Sequence, residues 1–380
     1  NEMTALALDQ DNDGNADVTY SRTHNDRGDL TDDGENYKFV YDVLGRMVEI
    51  RNRTTNDLLS QFKYNGLGYR SGERIDSDGD GIIEVGENDW EYFIYDAQWR
   101  LIGVYEDSDD VNPTEVYVHH AAGLNGQTGS YRDHLVLRDR DTDGDDVLDE
   151  LHYYCQNWRA DVVAVLDTAG NMLEQVRYTP YGVPILIPFA DQYADGELDF
   201  FDVTAFLTRF NASSYEVRAD YNLDGQIDFV DVSGWQGQYN TVVEVGRSSL
   251  SNYEHRFGYA GYWYESDRGL YHVRNRCYNP EDGRWMTRDR YDYIDGSSMY
   301  QYVGSYPIVA IDTDGDWLHI VVGAAIGAAA GAYAAHKSGK NVWAGAAGGA
   351  VGGAITAATF GAGAGAIGAI GGIQGAAVGA

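Results

Sequence analysis

The chain is 380 residues long and sets 60 acidic against 27 basic side chains, a formal net charge of −33. Such a surface disfavours nucleic acid and anionic membrane and suits cations or basic partners. A 43% hydrophobic content argues against disorder, and two cysteines, Cys155 and Cys277, are too few for a disulfide framework. The start at Asn1 is compatible with an internal fragment, so the lack of a leader pattern says nothing about export.

Residues 1–187 read as a β array. "YDVLGR" at Tyr41, "YNGLGYR" at Tyr64, "YDAQWR" at Tyr95 and "YCQNWR" at Tyr154 each place a tyrosine before a turn and then an arginine. Flanking runs such as "YKFVY", "EYFIY" and "EVYVHH" are short, aromatic and β-branched, and predict antiparallel hairpins with one face of Tyr, Phe and Val buried. Packing is the default reading of those tyrosine rows over a carbohydrate-binding platform.

Acidic spacings interrupt the array. A helix-loop-helix calcium loop takes oxygens from positions 1, 3, 5, 7, 9 and 12 with glycine at 6. "DSDGDGIIEVGE" offers Asp76, Asp78, Asp80, Glu84 and Glu87 in that pattern. "DQDNDGNADVTY" (Asp9, Asp11, Asp13, Asp17) and "DRDTDGDDVLDE" (Asp139, Asp141, Asp143, Glu150) fit less fully, and there solvated Asp/Gly turns compete with calcium.

Residues 188–240 hold two such loops 29 positions apart. The second offers Asp220, Asn222, Asp224, the carbonyl of Gln226, Asp228 and Asp231; the first offers Asp191, Asp195, Asp199 and Asp202, with Tyr193 in place of an oxygen ligand. Bound Ca²⁺ would reverse the mutual repulsion of these carboxylates. Each loop leads into an amphipathic run, "FFDVTAFLTRF" and "FVDVSGWQGQY", so the unit reads as two loop-helix halves. The pair resembles a dockerin, and the resemblance implies a cohesin-type partner.

Residues 241–316 carry the most specific signal. "FGYAGYWYESDRGLYHVRNRCYNPEDGRWMTRD" (257–289) and "YQYVGSYPIVAIDTDG" (300–315) resemble the Rhs-associated core domain, and the upstream tyrosine repeats resemble YD repeats of Rhs proteins. That resemblance implies a β shell around a C-terminal effector, closed by the core, which in this family often cuts its own chain with two aspartates 23 apart and an upstream arginine. Mapped here, these are Asp289, Asp312 and Arg276, and the expected bond is Asp316–Trp317. One carboxylate kept protonated by its neighbour can serve as general acid while the other serves as base. Arg290, Thr313 and Asp316 replace the family's two prolines and its leucine, so a structural salt-bridge cluster stands as the equal alternative.

From Trp317 to Ala380 the composition turns to Gly and Ala. Gly323, Gly327 and Gly331 recur every fourth residue, as do Gly345, Gly349 and Gly353, a glycine-zipper pattern long enough for two membrane-spanning helices joined at the Lys337–Lys340 turn.

The expected architecture is therefore mainly β: an antiparallel YD-repeat hairpin array at 1–187, a small α calcium-loop insert at 188–240, a core domain at 241–316 and a helical tail at 317–380. The expected function is a secreted or cell-surface, calcium-binding Rhs-type scaffold that encloses or presents a C-terminal effector. The alternative is a dockerin-bearing module anchored in a polysaccharide-handling assembly.

Overall fold

A computed structural model of the chain describes residues 2–8, 15–74, 83, 90–106, 111–120, 132–212, 215–242, 245–290, 298–308 and 310–316. The architecture is mainly β, as expected. A 15-stranded antiparallel sheet runs from Thr23–His24 to Gly246–Arg247, with every strand paired to its neighbours in sequence. A hairpin of Ala5–Leu8 and Val18–Ser21 precedes it, and a second sheet of four short strands, from Trp263–Glu265 to Arg284–Trp285, follows it. Two helices, α1 (Phe200–Phe210) and α2 (Phe229–Thr241), lie in the connection between the last two strands of the large sheet.

The repeated turns share one hydrogen-bond scheme. Asp42 Oδ1 accepts the N–H groups of Leu44 and Arg46 at 2.9 and 3.0 Å. Asn25, Asn65, Asp96, Asn157 and Asp167 likewise accept from the residues two and four places on. An Asx side chain that mimics a backbone turn explains why Asp or Asn follows these strands. The fourth turn position is left-handed, filled by Gly45, Gly68, Gly170 and Gly182 but also by Trp99 at φ 62°. Trp99 stacks on Tyr69 with centroids 4.1 Å apart, a contact glycine could not make. Register shifts before several turns, as at Val40/Tyr41 and Lys63/Tyr64, mark bulges that increase strand twist.

A sequential meander puts alternate connections at opposite ends of the strands, and here the two ends differ in charge. At one rim, residues 42–46, 96–100 and 157–161 each hold one acidic and one basic side chain, and 65–69 hold none. At the other rim, among the described residues, 141–149 hold five acidic and no basic side chains and 189–242 hold ten against two. Among these described connections the second rim is the more acidic.

One face of the large sheet lies under residues 245–316. Phe93, Leu101, Val104, Tyr117, Leu135, Val162 and Val165 share a core with Phe257 and Trp263. Phe39, Met47, Ile50 and Phe62 pack with Leu270 and Met286. The helices pack at the sheet's far edge, where Phe206 and Trp235 meet Met172 and Phe189. The tyrosine rows are packing residues: Tyr117 and Tyr154 are buried, and Tyr64 and Tyr95 lie against the same cores.

Three tyrosines of the closing segment grip one turn. Tyr259, Tyr278 and Tyr271 hydroxyls donate to the successive carbonyls of Pro180, Tyr181 and Gly182 at 2.9, 2.7 and 2.8 Å. At Gly182, φ is +98° and an added Cβ would meet Tyr259 Cγ at 2.7 Å, whereas Gly170, φ +89°, has nothing within 4 Å. Gly170→Ala therefore costs about 1–2 kcal/mol, the left-handed backbone penalty alone. Gly182→Ala costs more because the Tyr259 ring must also move, and urea unfolding of the two variants reads that order.

Candidate functional site

The sequence-marked Arg276, Asp289 and Asp312 come together. Arg276 opens the third strand of the small sheet (Arg276–Asn279), and its guanidinium stands 2.9 Å from Asp289 and 3.7 Å from Asp312. All three are buried, and the guanidinium lies over the Trp285 ring at 4.3 Å. Arg276 Nε–H also donates to the Gly315 carbonyl. Asp312 Oδ1 accepts the N–H groups of Asp314 and Gly315 at 3.2 and 2.9 Å. Two carboxylates thus face one guanidinium.

Residues without a sequence signal complete this site. The Tyr262 hydroxyl donates to the Asp312 carbonyl at 2.5 Å and accepts the Asp312 N–H at 3.1 Å. Asn275 holds the Asp314 carbonyl through its N–H and Nδ2, and Arg290 pairs with buried Asp316 at 3.1 Å.

The acidic loops are organised by hydrogen bonds from backbone N–H groups. Asp199 and Asp228 are the N-caps of α1 and α2, and Asp202 and Asp231 complete capping boxes with them. Asp202 and Asp231 also accept the N–H groups of Tyr193 and Tyr221. Buried Asp191 accepts Ala194 and Gly196 N–H, and buried Asp220 accepts Asp224 and Gly225 N–H. Asn222 donates to Asp224, whose Oδ1 takes the Gln226 N–H, while Asp195 takes that of Glu197. The two loops are backbone duplicates, with Ala194 and Leu223 left-handed and Gly196 and Gly225 both at φ 86°. Asp76, Asp78, Asp80, Glu84 and Glu87 lie outside the described residues, as do Asp9, Asp11 and Asp13.

Among the described residues, one group of three acidic side chains has oxygens within 4.8 Å of one another: Asp141, Asp143 and Asp145. Its register differs from the expected one. Glu150 is engaged by Arg138 at 2.8 Å and Arg140 at 3.1 Å, and Asp139 lies in a strand. Repulsion from Asp145 raises the carboxyl pKa of Asp143.

A clasp of buried polar groups fastens residues 251–265 to the sheet. Fully buried Arg138 donates to the carbonyls of Tyr253 and Glu254 at 2.8 and 3.0 Å. Glu174 accepts the Ser251 hydroxyl at 2.5 Å and the Asn252 N–H at 3.1 Å. Arg256 forms a bidentate pair with Glu91, and Arg70 reaches Glu265. His255 Nδ1 meets the Tyr154 hydroxyl at 2.7 Å, and its ring lies 5.3 Å from that of His152.

No family model matches the chain. In sequence it is similar to the tRNA3(Ser)-specific nuclease WapA of Bacillus spizizenii, 24% identical over 308 residues, covering 80% of this chain and 9% of that protein. The tRNA nuclease WapA of Bacillus subtilis matches at the same identity and extent. A stretch of 75 residues, 20% of the chain, is 36% identical to the toxin subunit YenC1 of Yersinia entomophaga, over 8% of that protein. A crystal structure of TcdB2-TccC3 aligns with 83% of this chain and 13% of its own, at 15% identity and a TM-score of 0.45. The chain is thus a distant homologue of WapA- and Rhs-type repeat proteins and of Tc-type toxin subunits, and it spans about 9% of the length of the WapA relatives.

The clasp predicts a pH dependence. Burial, then Arg138, holds the His255 pKa well below its usual 6.5, and burial does the same to His272. Each such histidine binds its proton more readily unfolded, so its contribution is fully present above pH 6.5 and falls by about 1.4 kcal/mol per unit below it. Glu174 acts oppositely: burial pushes its pKa from 4.5 up to about 7, so its contribution is greatest in acid and is lost as pH rises through about 7. Between pH 7 and 5, melting temperature should fall less steeply in His255→Gln than in the parent, and more steeply in Glu174→Gln.

Proposed function

We propose that this chain is a wall and closing segment of a secreted or cell-surface Rhs-type shell that encloses or presents a C-terminal effector or translocation segment in cell–cell contact or toxin delivery. The observation that carries this reading is the aromatic segment 245–316 laid across one face of a continuous hairpin sheet, which leaves that sheet with an inner, covered face and two rims of unlike charge. Distant homology to proteins named as a nuclease and a toxin subunit supports it. In this reading Arg276, Asp289 and Asp312 form an acid-base group that processes the chain where the closing segment ends. The Gly/Ala-rich residues 317–380 are the segment delivered, with membrane contact as their destination.

Calcium is the proposed counter-ion of the acidic rim. Carboxylates crowded at Asp141, Asp143 and Asp145, and the duplicated loops at 191–202 and 220–231, supply hard oxygen donors of the type that Ca²⁺ selects. A cation bound only by the folded rim stabilises it by about 2.7 kcal/mol at a hundredfold excess over its dissociation constant. Calorimetric titration should therefore show calcium binding that weakens in Asp143→Asn and in Asp220→Ala, with a lower melting temperature in chelator. No heat, and no chelator effect, would remove calcium from the proposal.

A second reading, a module docking on a cohesin-type partner, draws on a different feature. Phe200 and Phe201 at the start of α1 and Phe229 and Val230 at the start of α2 occupy equivalent positions of the duplicated unit, and all four are more than half exposed. Capture of the full chain by a cohesin-type domain, abolished by Phe200→Ser with Phe229→Ser, would favour it.

Enclosure itself is testable at Lys337 and Lys340, in the delivered segment. Trypsin should cut there slowly in the folded chain and at least about tenfold faster once acid or Trp263→Ala loosens the closing segment, as expected when cleavage follows opening. Equal rates would count against enclosure.

A further inference from the structure

We infer that the helical connection carrying α1 and α2 controls how firmly the closing segment is held, and that the control passes through one bulge in the strand Met172–Tyr178. Leu166 pairs with Met172 and Val165 with Glu174, which leaves Leu173 as the extra residue between them. A bulge of this kind re-aims the side chains around it. Here it divides successive residues between two neighbours. Met172 shares a core with Phe206 and Trp235, and Gln175 Oε1 accepts from Arg218 at 2.7 Å, so both serve the helical connection. Leu173 shares a core with Phe257 and Trp263, and Glu174 accepts the Ser251 hydroxyl at 2.5 Å and the Asn252 N–H at 3.1 Å, so both serve the closing segment.

The backbone of the bulge is held from the helices. Buried Gln238 of α2 donates from Nε2 to the Leu173 carbonyl at 2.6 Å, and its Oε1 accepts the Ala190 N–H at 3.3 Å. The Met172 N–H donates to the Tyr221 carbonyl at 3.0 Å. Tyr221 is in turn fixed from α2. Asp231 Oδ1 accepts its N–H at 2.7 Å, and its ring lies against Gly234, where an added Cβ would meet Cδ1 at 2.2 Å. A buried polar group that loses its partner is costly, so the Gln238 amide and the Leu173 carbonyl hold this geometry together. Gln238 and Tyr221 are therefore positioning residues: they fix the bulge, and the bulge aims the Glu174 carboxyl at Ser251 and Asn252.

By linkage the coupling runs in both directions: what orders α2 tightens the cover, and what loosens the cover loosens α2. In the proposed shell the helical connection is then the place from which the cover is released.

The test is hydrogen exchange on the full chain, with two glycines of α2 compared. Gly234→Ala drives a Cβ into Tyr221, whereas Gly237 has nothing within 4 Å, and both changes raise helix propensity alike. Gly234→Ala should speed amide exchange in 251–257 at least about fivefold, and Gly237→Ala should leave it unchanged or slower. Gln238→Met, which fills similar space without the amide's hydrogen bonds, should act as Gly234→Ala does. Protection retained in Tyr37–Tyr41 and Met47–Asn52 shows that each variant is folded. Ser251→Ala, a mild change in the closing segment, should in turn speed exchange in Phe229–Thr241, and it carries the test where a helix variant fails to fold. Parent rates in 251–257 for Gly234→Ala and Gln238→Met, with α2 unaffected by Ser251→Ala, would overturn the coupling while leaving the shell reading standing.

Discussion

The structure depends on covering one face of a long open sheet. A 15-stranded meander exposes far more apolar surface than it can bury alone, and residues 245–316 supply the cover through Phe257, Trp263, Leu270 and Met286. Polar contacts then set the register of the cover. Tyrosine hydroxyls take the carbonyls of the turn at 180–182, and buried Arg138 reaches backbone oxygens across the seam. This explains the richness in tyrosine: each ring fills the core while its hydroxyl serves the edge.

The same meander separates charge. Because alternate connections share an end of the sheet, the acidic stretches 141–149 and 191–231, distant in sequence, lie at one end, while the Asx turns at 42–46, 65–69, 96–100 and 157–161 lie at the other. Like charges brought together in this way repel at a range set by ionic strength. Arg276, Asp289 and Asp312 belong to the covering segment itself, where the Arg276 guanidinium faces both carboxylates.

Much of this was legible in the sequence. The strands showed in their aromatic and β-branched runs, both helices in the stretches after the acidic loops, and Arg276, Asp289 and Asp312 through the family resemblance, which the fold turns into contact. What was not legible depends on geometry. The arginine after each tyrosine turn looked equivalent in all repeats, yet Arg46 and Arg100 bind their own turns, Arg70 crosses to Glu265, and Arg159 does both, pairing with Asp161 of its turn and reaching the Pro307 carbonyl. Loop spacing offered Asp139 and Glu150 beside Asp141 and Asp143, whereas the structure brings Asp145 to Asp141 and Asp143 and pairs Glu150 with Arg138 and Arg140. The capping roles of Asp199, Asp202, Asp228 and Asp231 use the same residue types as a calcium loop, so sequence could not separate the two uses.

The central claim, that the closing segment holds the sheet, is tested most directly by hydrogen exchange on the full chain and on Trp263→Ala. Trp263 meets Phe93 at 5.3 Å, Phe257 at 5.4 Å and Tyr117 at 6.5 Å between ring centroids. Its loss should speed amide exchange in Trp90–Tyr95, Leu101–Tyr105 and Glu115–His119 well before the distant strands at Tyr37–Tyr41 and Met47–Asn52. Unchanged protection in those three strands would show that the sheet stands without its cover and would contradict the account.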